Sequence, residues 1–106
     1  MFVILWEFEV KPGNQECFQK AYGPEGAWAQ LFRRHPHFRG TQLLRGPSHA
    51  LRYFTLDFWD SETDYRSFLT ANQAAYEELD STFQELTLQE RHVLSFVFDP
   101  PAAPRA

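Results

Sequence analysis

The 106-residue chain has a single cysteine, Cys17, so no disulfide can close within it and nothing marks a disulfide-built secreted scaffold. No apolar run is long enough to span a bilayer, and no basic stretch leads into an apolar one at the start. Both absences predict a cytoplasmic protein with no membrane partner. A basic surplus is missing too: ten Lys and Arg stand against fourteen Asp and Glu, a formal charge of −4. Nucleic-acid binding, which needs a basic face to displace counterions, is excluded on that ground. Repeats and low-complexity tracts are absent apart from the Pro/Ala-rich end. The chain therefore reads as one domain over residues 1–98 with a mobile tail over 99–106.

Aromatic side chains are plentiful, at 17% of residues, enough to line a core with rings. The stretch from Leu51 to Leu69 concentrates them. By parity, Leu51, Tyr53, Thr55, Asp57 and Trp59 share one face of a strand, and Arg52, Phe54, Leu56 and Phe58 share the other. Neither face is cleanly polar, which predicts cover on both. Asp60-Ser61-Glu62-Thr63-Asp64 then opens a helix, with Asp60 or Ser61 as cap and acids at the positive end of the helix dipole. Tyr65, Phe68 and Leu69 follow as its buried stripe.

Trp59 thus stands where sheet meets helix. One reading has its ring closing the core edge with the indole N–H exposed; the other makes it a pocket wall. Asp57 points the same way. A carboxylate on a covered face needs Arg52, Arg45 or a backbone amide beside it, or its pKa rises.

Elsewhere, Phe2 to Val10 reads as a first strand with Phe2, Ile4, Trp6, Phe8 and Val10 on one apolar face. A helical region to about Arg34 is interrupted at Gly23-Pro24-Glu25-Gly26, giving two short helices or one helix with a bulged loop, either a kink or the lid of a pocket. Phe38 to Arg45 pairs as a hairpin with the Leu51 strand across Gly46-Pro47-Ser48. Asn72 is placed to cap a helix carrying Tyr76, Leu79, Phe83 and Leu86, and Glu90 to Phe98 is the last strand. On it Val93, Ser95 and Val97 face one way, and His92, Leu94, Phe96 and Phe98 the other. The basic cluster Arg33–Arg39 suits a helix C-terminus, and its His35-x-His37 spacing has no acidic or cysteine ligand at metal spacing, so no metal is expected.

The order β-α-β-β-α-β is the split βαβ arrangement, an α+β ferredoxin-like sandwich with strands one and three at the centre of a four-stranded antiparallel sheet. One helical layer covers one face, yet strands one, three and four are apolar on both. A homodimer joined through the open sheet face removes that exposed patch.

These features together resemble the antibiotic biosynthesis monooxygenase (ABM) family of dimeric α/β barrels. The residues that carry the likeness are Val10-Lys11-Pro12-Gly13, Phe58-Trp59-Asp60-Ser61, the helix with Tyr65 and Phe68, and the aromatic last strand. The resemblance implies a pocket between sheet and helices in which a small phenol, quinol or anthrone is oxidised by dioxygen without a cofactor. Trp59 matches the pocket tryptophan of active members, and Asp57 and Tyr65 are the catalytic candidates. Trp6, Phe8, Trp28, Phe32, Tyr53 and Phe68 are the substrate-binding candidates. The haem-degrading branch has an asparagine where Trp6 aligns and a histidine on the second helical region, which this chain lacks. Two further readings stay open: a non-catalytic dimer whose pocket Trp6, Phe8, Trp28 and Phe32 fill, and an isomerase or lyase using His92. An open pocket behind Trp59 is the mark of the enzyme.

Overall fold

A computed structural model describes residues 1–99. The expected tail therefore lies, beyond Asp99, outside the described residues. Strand β1 (Phe2–Val10) leads to α1 (Gln15–Tyr22) and α2 (Ala27–Phe32), two separate helices. The turn between them rests on Gly26. Its amide donates to the Gly23 carbonyl at 2.9 Å, and a Cβ here would sit 2.4 Å from the carbonyl oxygens of Lys20 and Ala21. Only glycine lets the backbone approach that closely.

Strands β2 (Phe38–Arg45) and β3 (Arg52–Trp59) form the expected hairpin. Helix α3 (Glu62–Ala71) starts at Ser61, whose Oγ accepts from the Asp64 amide at 3.1 Å. Asn72 does not cap α4 (Gln73–Phe83) with its side chain. Its backbone (φ −126°, ψ 25°) is not in the extended region from which a cap reaches forward, and its Nδ2 instead donates back to the Phe68 carbonyl at 3.0 Å, closing α3. After a 3-10 turn at Gln84–Leu86, β4 (Thr87–Val97) begins at Thr87 rather than Glu90.

The sheet order is β2-β3-β1-β4, antiparallel throughout, with β1 and β3 central as the topology rules predict. This is the ferredoxin-like α+β fold. The inner face, from Phe2, Ile4, Phe8, Val10, Tyr53 and Trp59, packs on α1 to α3 through Phe18, Tyr22, Trp28, Phe32 and Phe68, and on α4 through the partly buried Tyr76, Leu79 and Phe83. The outer face of the sheet presents Leu5, Phe54, Leu56, Phe58, Leu94 and Phe96 around a buried Val3, with no helix over it among the described residues. Glu7 on that face receives Arg52 at 3.1 Å and Arg91 at 2.9 Å.

One expected face assignment is corrected. Ser95 pairs with Ile4 and Leu94 with Leu5, but Trp6 then pairs with His92, so Val93 is an extra residue in β4. A one-residue bulge reverses the parity of everything before it. His92 and Glu90 therefore lie on the inner side with Ser95, not on the outer side with Leu94 and Phe96. Among the described residues no helix is long and apolar enough to cross a membrane.

Replacing Gly26 by Ala forces backbone apart at the α1–α2 turn. We expect Gly26→Ala to destabilise the fold by about 1–3 kcal/mol, the usual cost of overpacking. Urea unfolding of the two proteins measures it, and an unchanged midpoint with an unchanged slope would show that the turn relaxes freely.

Candidate functional site

The inner sheet face is not uniformly bulky. Along it, large rings gather at two ends. Phe8, Phe18, Tyr22 and Tyr53 pack at one, with Phe18 stacked on Tyr22 at 4.3 Å between centroids. Trp59, Phe32, Phe38 and Phe68 pack at the other, at 5.0–5.6 Å. Between them β2 and β3 carry small polar residues: Thr41 opposite Asp57, and Thr55, which faces Trp6 on β1. The result is a cavity.

Its floor is Trp6, Phe8, Thr41, Thr55 and Asp57, with Glu90 at the β4 side. The helices supply the roof through Tyr22, Trp28, Phe32 and Tyr76. The cleft together with its open mouth spans about 360 Å³, of which the centre of a water molecule can reach about 30 Å³. The site is a narrow, ring-walled slot with half-buried Trp6 in its wall.

Asp57 is only 7% exposed. Its Oδ1 accepts from the Thr41 hydroxyl at 2.7 Å, and among the described residues no cation reaches it. The arginines expected as partners are engaged elsewhere or face away: Arg52 points to the outer face, where it meets Glu7, and Arg45 is exposed at the end of β2. Burial pushes the Asp57 carboxyl up from 3.8 to about 7, against the smaller opposing pull of the Thr41 hydrogen bond. Burial also raises the Tyr22 and Tyr76 hydroxyls, and nearby carboxylates, Glu90 and Asp80, push both further. At the rim, crowding and the Asp80 charge raise Glu90. The indole N–H of Trp28 is buried beside the Tyr22 hydroxyl but makes no hydrogen bond of good geometry among the described residues.

The expected site residues divide. Asp57, Trp6, Phe8, Trp28 and Phe32 meet in the cavity. Trp59 does not line it: the side chain is fully buried, separated from the slot by Phe32, and its indole N–H is enclosed without an acceptor rather than exposed. Phe68 packs behind Trp59 at 5.2 Å, and the Tyr53 hydroxyl accepts from Gln19 at 2.7 Å beneath α1. Tyr65 is half-buried beside Trp59 and Phe2, in an adjoining groove with Trp6, His92 and Ser95. It still feels Asp57, whose charge adds to the burial that raises its hydroxyl. The open space thus lies at Asp57, not behind Trp59. Thr41, Thr55, Tyr22, Tyr76 and Glu90 were not anticipated. Counting the β2–β3 register back from the Gly46 turn finds Thr41; no sequence signal separates the two tyrosines from core stripe residues.

His92 Nε2 lies 2.8 Å from Ser95 Oγ, a pair brought together by the β4 bulge. His37, Asp60 and Asp64 offer ligand atoms within 4.8 Å of one another. Both Asp60 oxygens are already taken by Arg39, at 2.6 and 2.8 Å, and His37 shares one of them. A guanidinium in that position makes the trio an ion-pair hub at the α3 entrance.

Because Asp57 holds its proton to about pH 7 when folded but only to about 3.8 when not, the folded state binds more protons between those values. The stability that Asp57 contributes is then fully present below about pH 3.8 and is lost as pH rises through that window, by up to about 1.4 kcal/mol per pH unit. We expect Asp57→Asn to flatten the slope and to exceed the parent in stability at about pH 8. Urea unfolding from about pH 4 to 8 checks this; parallel curves for the two proteins would mean Asp57 is ionised at ordinary carboxylate pH.

The sequence profile of the family described as antibiotic biosynthesis monooxygenase, ABM, matches residues 1–78. No curated protein matches by sequence. Among solved structures the chain is similar to a point variant of SnoaB, a cofactor-independent oxygenase from Streptomyces nogalater. The two share 21% identity, 94% of each chain is covered, and the TM-score is 0.73. It is also similar to a candidate antibiotic biosynthesis monooxygenase from Deinococcus radiodurans, at 8% identity over all of both chains with a TM-score of 0.74. A third similar structure is an MhuD variant with two manganese protoporphyrin IX bound per active site, at 19% identity over 98% of this chain and 100% of that one, with a TM-score of 0.68. Those likenesses establish the fold, and the profile match over most of the chain establishes more: the protein belongs to the antibiotic biosynthesis monooxygenase family.

Proposed function

We propose that the protein is a cofactor-independent monooxygenase that oxidises a small phenol, quinol or anthrone-type aromatic in the slot over Asp57. The observation that carries this reading is Asp57 itself, a carboxylate held near neutrality by burial, ringed by aromatic side chains and facing open space. A base poised near working pH is what proton abstraction from such a substrate needs. Family membership and the shared fold with SnoaB support it.

For an anthrone the steps balance without a further reductant. Asp57 takes one proton from the methylene, leaving a carbanion delocalised into the rings. That carbanion passes one electron to dioxygen, and the radical pair combines at carbon to give a peroxide anion. Asp57 returns its proton, the hydroperoxide forms, and loss of water leaves a carbonyl. One oxygen atom enters the product and the other leaves as water. The aromatic walls keep bulk water from the radical pair. Trp59 serves by fixing Phe32 in the roof, and Tyr65 stands near enough to Asp57 to orient a hydroxyl. Haem fits the cavity poorly: no histidine lines it, and Asp57 and Glu90 would face the anionic propionates.

Two copies would meet through the outer sheet face, covering Leu5, Leu56, Leu94 and Phe96. Sedimentation should find a dimer at micromolar concentration, and Leu56→Asp, which sets two carboxylates in the joint, should leave a folded monomer. A monomeric parent would refute the joint.

The small free volume favours a second reading, a non-catalytic dimeric binding or structural module in which side chains fill the slot. Oxygen uptake by metal-stripped protein with anthrones and hydroquinones decides between them. We expect uptake above the spontaneous rate, reduced ~10²–10⁴-fold in Asp57→Asn, the usual worth of a positioned base. Equal rates in the two proteins would remove Asp57 from the mechanism. No uptake, with no change in tryptophan fluorescence from any compound, would favour the filled module.

A further inference from the structure

The charge of what the slot accepts is legible in its walls. Two carboxylates, Asp57 and Glu90, line it, and among the described residues no lysine, arginine or histidine does. The neighbouring charges all act with one sign. Asp57, Asp80 and Glu90 each disfavour ionisation of tyrosines around the slot, and no cation offsets them at Tyr22 or Tyr76. Asp57 is 7% exposed, accepts one hydrogen bond, and has a second oxygen with no partner among the described residues. The remaining wall is mostly ring faces, including Trp6, Trp28, Tyr22 and Tyr76. Aromatic faces carry negative quadrupole potential and attract organic cations, most strongly where water is excluded.

We propose that the slot over Asp57 is an organic-cation site, selecting aromatic ligands that carry a protonated amine or quaternary ammonium over neutral and anionic ligands of the same shape. This rests on the reading of the slot as the binding site and goes beyond it by naming the ligand's charge; a ligand whose ammonium occupies Asp57 is held there and is not deprotonated by it. The ammonium group seats against Asp57, supplying the donor that its free oxygen lacks. The ring lies between Trp6 and the roof formed by Trp28 and Tyr76, and Glu90 adds a second attraction at the rim. A carboxylate or phosphate on the same ring meets only like charge and no donor side chain other than the hydroxyls of threonine and tyrosine and the indole N–H groups.

The test is calorimetric titration with three para-substituted phenols: tyramine and para-propylphenol, whose side chains match in length, and the slightly longer para-hydroxyphenylpropanoate, at about pH 8, where the amine is charged. Tyramine should bind at least about tenfold more tightly than para-propylphenol, in line with a cation–π contact and an ion pair in a desolvated site. The propanoate should bind more weakly than either. In Asp57→Asn the tyramine preference should collapse toward one while para-propylphenol keeps its affinity, and Glu90→Gln should lower the preference in part. Circular dichroism confirms that each variant is folded.

Equal binding of tyramine and para-propylphenol, tighter binding of the propanoate, a preference that survives Asp57→Asn, or no binding of any of the three overturns the proposal. The oxygenase reading fails separately. Cation preference without oxygen uptake would remove that activity and leave the cation site standing. Uptake with neutral hydroquinones but no cation preference would do the reverse.

Discussion

A sheet this rich in rings must put them somewhere, and one layer of helices has to receive all of the inner ones. The aromatic clusters at the two ends of the inner face answer that demand. Phe8, Phe18, Tyr22 and Tyr53 fix α1 to the sheet; Trp59, Phe32, Phe38 and Phe68 fix α2 and α3. Each cluster holds its helices at the height that a large ring requires. Where the sheet then carries Thr41, Thr55 and Asp57, the helices cannot drop to meet them. Space is left because the neighbours are large, not because anything opens.

That origin explains why the site is costly to the fold and is placed on rigid elements. A carboxylate without a cationic partner, in a slot lined by rings, is a group whose charged form burial opposes. Filling the position with an apolar side chain of similar size would serve packing better. Retaining an acid there makes sense if its proton is to move or if a ligand is to complete it, and both proposals for the slot draw on this one feature. The Thr41 hydroxyl fixes one carboxylate oxygen and so aims the other, which is how a strand pair positions a base with little freedom.

Most of this was legible from spacing alone. The unbroken apolar face of β1, the turn at Gly46-Pro47-Ser48 and the acid-rich start after Trp59 marked the strands, the hairpin and α3, and chain-crossing rules then ordered the sheet. Parity on β3 put Asp57, Thr55 and Trp59 on one face, as the structure has them. The β4 assignment failed because a period of two carries no memory across an extra residue. Val93 and Ser95 look equivalent in sequence, and only the pairing with Leu5 and Trp6 exposes the step. Trp59 was harder for another reason. A large ring at a strand end serves equally as wall or as wedge, and the choice depends on how far Phe32 reaches from α2, a distance that no local pattern encodes.

The two faces of the sheet share the same strands and treat charge in opposite ways. On the outer face Glu7 is held between Arg52 and Arg91, so a carboxylate on that surface arrives already neutralised. On the inner face, five residues from Arg52 along the same strand, Asp57 has only a hydroxyl. The chain does not lack arginines; strand parity sends Arg52 outward and Asp57 inward, and the β4 bulge leaves Arg91 outward while turning Glu90 in. A single-residue change of register in β4 would bring a guanidinium to the rim in place of Glu90. The bulge therefore does more than bend an edge strand: it decides the sign of the charge at the mouth of the slot, and with it which ligands the rings can hold.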